Sequence, residues 1–360
     1  MSAVLKLAAV GVGRIGVYHA RYIQELAREN GDCVLAAVVD PHRDTAARVA
    51  QQLGTGQDEE IVAFQQVEEL IAAAGVDGAV IASRTADHHS DARALIDAGC
   101  RVLLEKPLTE TLETAREFAA YLNADERRRH SLMQAFMRRF DEPLRHAKSL
   151  LDQGVIGVPF KIVSVLEDPV PPPDGYSSAG LLPDMAVHNV DEVRWLVGAE
   201  AQSVSGTASR LYNQNITTVR EDFDDVFLHM WCAEELVAQI QVSRNHVAGY
   251  RNETWIYGQE GLIHVGGFQQ DPLKVALEAY SRDGVIDERV FELRDHGESV
   301  PVFIDRFGPA YKAEIAHYVE QCINGQAFAV DHNDGLYALE IVDAGNRSLQ
   351  TRESGRRVEI

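Results

Sequence analysis

Leu5-Lys6-Leu7-Ala8-Ala9-Val10 runs straight into Gly11-Val12-Gly13-Arg14-Ile15-Gly16, and this junction decides the fold. An apolar run that meets a G-x-G-x-x-G and opens a helical pattern is the mark of a strand–turn–helix unit that binds a dinucleotide. The first glycine allows a tight turn, the second lets backbone approach a pyrophosphate, and the third lets helix and strand pack closely. The helix N-terminus offers unpaired N–H groups and the positive end of its dipole to phosphate oxygens. Gly11, Gly13, Arg14, Ile15 and Gly16 are therefore the candidate phosphate loop.

Reading outward, a helix is expected over Ile15–Glu29 and a second strand over Val34–Val39, which stops at Asp40-Pro41. A carboxylate at that position binds both ribose hydroxyls of the adenosine half and repels a 2′-phosphate, which favours NAD over NADP. Arg43 is a residue of the kind that accommodates such a phosphate, so strictness between the two cofactors stays open. Helical patterns at Thr45–Gln52, Val67–Ala74, Ser90–Ala98 and Thr111–Asn123 alternate with short apolar runs at Ile61–Phe64, Gly78–Ala82 and Arg101–Leu104. This alternation predicts an α/β, Rossmann-type, doubly wound parallel sheet.

The charged stretch Asp125–His130 reads as a domain boundary, giving an NAD-binding domain over 1–125 and a substrate-binding, oligomerising domain over 126–360. Beyond it lie β-rich runs at Phe160–Val165, Ala201–Ser209, Val226–Trp231, Val237–Ser243, Thr254–Tyr257 and Lys274–Tyr280, joined by Gly, Asn and Asp turns. They predict an α+β domain with a large, mostly antiparallel open sheet. Helices are expected at Tyr311–Asn324 and Gly335–Gln350, and the proline-rich Asp168–Asp174 reads as an ordered loop.

With 360 residues, 46% of them apolar and 25% charged, the chain has material for two cores. A formal charge of −21 argues against nucleic acid or an anionic membrane as partner. Cys33, Cys100, Cys232 and Cys322 form no C-x-x-C pair, and the N-terminus lacks the marks of a signal peptide. A soluble, cytoplasmic protein is expected.

Two places carry candidate chemistry. Glu105-Lys106-Pro107 follows a buried strand, so Lys106 is expected at the carboxyl edge of the sheet, where ligands collect. There it can donate to a substrate oxygen, although position alone more often describes a surface lysine that begins a loop. The second place is Asp184-Met185-Ala186-Val187-His188-Asn189-Val190-Asp191, in a helix that Pro183 can open and Gly198 can stop. Asp184, His188, Asp191 and Trp195 share one helical face. An Asp one turn before a His fixes its tautomer and stabilises the imidazolium formed when the ring accepts a hydroxyl proton. A structural His–Asp pair is the alternative. No third or fourth ligand lies nearby, so no metal is expected.

Taken together, these residues resemble the Gfo/Idh/MocA family, the glucose–fructose oxidoreductase and inositol dehydrogenase group. The resemblance runs through the glycine loop, Thr85-Ala86-Asp87-His88, Glu105-Lys106-Pro107 and the Asp184…His188 helix. Phe136-Met137-Arg138-Arg139-Phe140-Asp141, Asp168-Pro169, Ser243-Arg244 and Asp305-Arg306-Phe307 resemble most the inositol 2-dehydrogenases. The resemblance implies a catalytic triad of Lys106, Asp184 and His188, in which His188 takes the hydroxyl proton, Lys106 polarises the oxygen and Asp184 positions both. It implies Ser83, Thr85, His88, Glu105 and Lys106 near the cofactor, and Lys106, Arg138, Asp168, Asp184, His188 and Asn189 as contacts to a cyclic polyol or sugar. A homodimer or homotetramer is implied as well. The chain departs from the family's pattern at Ala179, Pro183, Glu167 and Asn189, where an acid is usual after the histidine. An aldose dehydrogenase, a keto-sugar reductase or a non-catalytic dinucleotide sensor stays open beside the inositol dehydrogenase.

Overall fold

The computed structural model describes residues 4–54, 60–73, 75–169, 180–210, 222–269, 271–293, 300–350 and 357–360. Ala74, Ala179 and the prolines at 171–173 lie outside the described residues. The chain divides into two compact units, residues 1–137 with 311–336, and residues 138–310 with 337–360.

The first unit is built on β1 (Leu5–Val10), α1 (Gly16–Asn30), β2 (Cys33–Val39), α2 (Arg43–Gly54), β3 (Val62–Phe64), α3 (Val67–Ala72), β4 (Gly78–Ile81), α4 (His88–Asp97), β5 (Arg101–Leu104), α5 (Leu112–Asn123), α6 (Glu126–Arg129) and β6 (Leu132–Gln134). The strands form one parallel sheet of order β3-β2-β1-β4-β5-β6. Covered on both faces, they read as continuous apolar runs, with Leu7, Val38, Val80 and Leu103 at 1% exposure or less. Each such side chain contributes about 1.5–3 kcal/mol by burial. Thr111 caps α5 by accepting from Thr114 N–H.

The boundary read at 125 is corrected by this arrangement. The charged stretch is the short helix α6, capped by Asp125, and the chain then adds β6 as the sixth parallel strand. Residues 311–336 also return to this unit: the buried Tyr318 hydroxyl donates to Arg101 O at 2.7 Å, and Lys312 pairs with Glu25 and Glu29 of α1. Contacts so distant in sequence leave no local trace.

The second unit holds α7 (Glu142–Asp152), β7 (Pro159–Glu167), α8 (Val187–Val197), β8 (Ala201–Ser209), β9 (Asp225–Cys232), β10 (Val237–Ser243), β11 (Tyr250–Gly258), β12 (Gly261–Gln269), β13 (Lys274–Ser281) and β14 (Gly284–Glu292). The helices α9 (Val302–Asn324) and α10 (His332–Gln350) are shared between the units by sequence, and β15 (Val358–Glu359) ends the chain. The sheet has nine strands in the order β14-β13-β12-β11-β7-β10-β9-β8-β15. Every pairing is antiparallel except β7 with β10, which is parallel. Strand alternation puts Ile162, Ser164 and Leu166 on one face of β7 and Val163, Val165 and Glu167 on the other. Among the described residues, no helix is long and apolar enough to cross a membrane.

Candidate active site

The glycine loop closes as its sequence predicts. Gly11 adopts φ +77°, and a side-chain carbon there would lie 2.5 Å from the Ser83 backbone. At Gly16 the added carbon would sit 1.7 Å from Gly11 O, so only hydrogen fits between turn and helix. At Gly13 an added carbon meets nothing within 4 Å, which leaves open space in front of the loop. α1 begins after Ile15 with no side-chain cap and no acid in its first turn, so neither occupies its N-terminal N–H groups. A helix dipole with no acid against it and clear space in front of the loop suit the pyrophosphate of a dinucleotide. Asp40, 6% exposed at the end of β2, accepts from Val12 N–H at 3.1 Å and from His42 N–H at 3.0 Å. One carboxylate thus ties the glycine loop to the turn that follows β2.

At the carboxyl ends of β4 and β5 the unit gathers Ser83, Thr85, His88, Glu105 and Lys106. Ser83 Oγ donates to Asp91 at 2.7 Å, and Thr85 opens a single turn before α4. The buried His88 ring has Nδ1 2.9 Å from Pro107 O and Nε2 3.2 Å from Ser83 O. Burial pushes its pKa down. A neutral imidazole has one N–H, so it can donate to only one of these carbonyls. Glu105 lies 2.8 Å from His19 Nε2, and its other oxygen accepts Lys106 N–H at 3.1 Å. Burial alone would raise this carboxyl, but the His19 hydrogen bond and charge, and then Lys106, hold it below its ordinary value. Lys106 itself is half-buried, and its bond to Pro107 is cis.

In the second unit a π-helical turn, Leu182–Ala186, precedes α8, and Gly198 stops the helix in the left-handed region. The expected single α-helix from Pro183 is corrected in this respect: the first turn is wider, and Asp184 belongs to it. Asp184 accepts from Arg244 Nη2 at 2.9 Å, and Arg244 Nη1 donates to Asp222 at 2.9 Å. His188 is 9% exposed, and Asn189 is fully buried. Asp191, which shares the predicted face with His188, is taken up by a bidentate pair with Arg139 at 2.6 and 2.9 Å. Asp168 is half-buried, and its backbone joins Ser243 O and His246 N–H.

Arg138 is 1% exposed and donates from Nη1 to Glu192 Oε2 at 2.5 Å. Glu192 Oε1 also accepts from Ser164 Oγ at 3.1 Å and from Thr254 Oγ1. Asn189 Nδ2 donates to Ser164 Oγ at 2.7 Å. Arg306 pairs bidentately with Asp141 at 2.6 and 2.9 Å, and both guanidinium groups lie over the Phe307 ring.

Each unit therefore assembles its own share of the predicted residues, the cofactor set with Lys106 in the first and Arg138, Asp168, Asp184, His188 and Asn189 in the second. Reading the sequence missed His19, Ser164, Glu192 and Asp222. Two had a signal: His19 lies one turn after Gly16 on the buried face of α1, and Ser164 is a hydroxyl between apolar neighbours of one strand face.

A glycine loop, an acid ending β2 and a six-stranded parallel sheet in one unit, with a mixed sheet in the other, define a Rossmann-type dinucleotide-binding class of protein. Residues 5–131 match the family model described as "Oxidoreductase family, NAD-binding Rossmann fold", and residues 144–264 match the GFO/IDH/MocA C-terminal domain. The chain belongs to the GFO/IDH/MocA family. It is 30% identical over 347 residues to an inositol 2-dehydrogenase of Rhizobium meliloti, covering 96% of this chain and 97% of that one. It is 27% identical to an NAD(+)-dependent scyllo-inositol 2-dehydrogenase of Bacillus subtilis, covering 96% and 94%. The crystal structure of a myo-inositol dehydrogenase from Corynebacterium glutamicum is similar with a TM-score of 0.82 at 26% identity, over 99% of both chains.

Proposed function

We propose that this protein oxidises one secondary hydroxyl of a cyclic polyol, myo- or scyllo-inositol, to the ketone, with NAD+ as acceptor. The observation that carries the reading is similarity over nearly the whole chain to inositol 2-dehydrogenases, together with Lys106, Asp184 and His188 at the motif positions. When bound, NAD+ accepts the carbinol hydride. His188 takes the hydroxyl proton, Lys106 donates to the same oxygen as negative charge grows on it, and Asp184, fixed by Arg244, holds substrate and base in register. Arg138, Asp168 and Asn189 serve the remaining ring hydroxyls. Ser83, Thr85, His88 and Glu105 shape the nicotinamide side of the cofactor site. A homodimer or homotetramer in the cytoplasm completes the proposal, and all four cysteines are free thiols, as a reducing compartment keeps them.

Incubation with NAD+ and a panel of inositols and pyranoses, followed by absorbance of the reduced cofactor and identification of the ketone, tests this reading. Turnover of an inositol above the pyranoses is the expected result. Cofactor binding with no turnover on any member of the panel overturns it in favour of a sensor. Sedimentation measures the oligomer.

A further inference from the structure

The unused hydrogen-bonding capacity around α8 is unevenly distributed. Arg138 spends Nη1 on Glu192, yet its Nε and Nη2 are buried with no hydrogen-bond partner among the described residues. These two nitrogens form the side-on fork of a guanidinium, the edge that grips two oxygens at once. Asn189 Oδ1 is likewise buried without a partner.

The polar network explains why Asn189 presents an oxygen. A carboxylate only accepts, so Ser164 must direct its single hydroxyl proton to Glu192. Ser164 can then only accept from residue 189, which must supply a donor. The amide nitrogen of Asn189 does so, and its oxygen is turned the other way. A carboxylate at 189 would set a second acceptor against Ser164. Glu192 thus dictates the amide.

Charge is balanced in the same manner. Glu192, 0% exposed, cancels Arg138, while Asp141 cancels Arg306 and Asp191 cancels Arg139. A neutral diol placed on the Arg138 fork leaves these three pairs balanced, whereas a carboxylate there adds one uncompensated negative charge.

We propose that Glu192 is a specificity-determining positioning residue that neutralises Arg138 and orients Asn189, so that the pocket selects neutral polyhydroxylated rings over carboxylated ones. This rests on the reading of Arg138 and Asn189 as substrate contacts.

Glucose and glucuronate differ by one CH2OH against one carboxylate, and calorimetry on the full-length protein with NADH bound reads their affinities directly. The wild type is expected to bind glucose at least about tenfold more tightly than glucuronate. Glu192→Gln, which keeps the shape and removes the charge, is expected to shrink that ratio by about tenfold or to reverse it, with NADH affinity unchanged. A merely structural role for Glu192 would weaken both ligands alike and leave the ratio in place. A wild type that binds glucuronate as tightly as glucose, or binds neither, overturns the proposal without any variant. So does a folded Glu192→Gln with the wild-type ratio. Should that variant not fold, Asn189→Asp is expected to weaken glucose about tenfold with NADH affinity intact, and wild-type glucose affinity in it overturns the proposal. Loss of inositol turnover in the wild type would instead sink only the dehydrogenase reading, because the ratio is measured by binding.

Discussion

The two units solve burial in opposite ways. In the first, the functional atoms are largely backbone: glycines that clear space, helix N–H groups and carboxylates such as Asp40 and Glu105 that accept from main-chain amides. In the second, buried polar side chains hold one another, through Arg138–Glu192, Arg139–Asp191, Arg306–Asp141 and Arg244 between Asp184 and Asp222. Main-chain groups stay in place when a residue is substituted, whereas paired side chains can be exchanged one pair at a time.

Replacing a group assigned to the chemistry itself should have the largest effect. His188→Ala and Lys106→Ala are each expected to cut turnover by roughly 10²–10⁴ while NAD affinity stays within about twofold, as single-turnover rates and cofactor titration would report. Near-normal rates in either variant remove the role given to that residue.

Next comes the ionic core of the second unit. Arg306→Met leaves Asp141, 2% exposed, as an uncompensated buried charge and is expected to cost about 3–5 kcal/mol in denaturant unfolding. The double variant Arg306→Met/Asp141→Leu should recover most of the loss, and a double variant no better than the single would deny that charge balance is what matters there. The matching change in the first unit, Asp40→Ala, is expected to be milder, about 1–3 kcal/mol. It should appear as weaker NAD binding and a smaller preference over NADP, and unchanged selectivity would assign ribose recognition elsewhere.

The smallest effect is a pH dependence. Glu253 is held below the ordinary carboxyl value by His264, 3.5 Å away, foremost, and by Arg251. A depressed carboxyl stabilises the fold above its unfolded pKa of about 4.3 and loses that contribution as pH falls through the lower folded value. Melting curves of wild type and Glu253→Gln should therefore stand apart near neutrality and converge on acidification. Parallel curves would show that the pair contributes nothing measurable.

This contrast also separates what the sequence revealed from what it hid. The strands of the parallel sheet through β5 were legible within one residue because both faces are apolar, and β8 and β10 were read without error. β12 and β14 escaped because glycines break the alternation of one, and the other carries exposed residues along most of its length. α9 was started too late, since Pro309 reads as a breaker while the helix runs through it from Val302. Lys106 and His188 stand out in the sequence by motif. Glu192 was not, because a charged residue on a helix is expected in solvent, and only its partners from β7, β11 and the 138 region reveal that it is buried.

The one parallel pairing in the nine-stranded sheet has a consequence for how such a pocket diversifies. Because β7 and β10 run the same way, they end side by side, and Asp168 N–H donates to Ser243 O at 2.9 Å just where both strands stop. Asp168 and Arg244 are thus delivered to one rim by separate stretches of chain. Antiparallel neighbours joined by a tight hairpin would have shared a single turn at that rim. Two independent exits can each change length or composition while the ladder beneath them keeps its register, so new specificities can be written there without refolding the sheet.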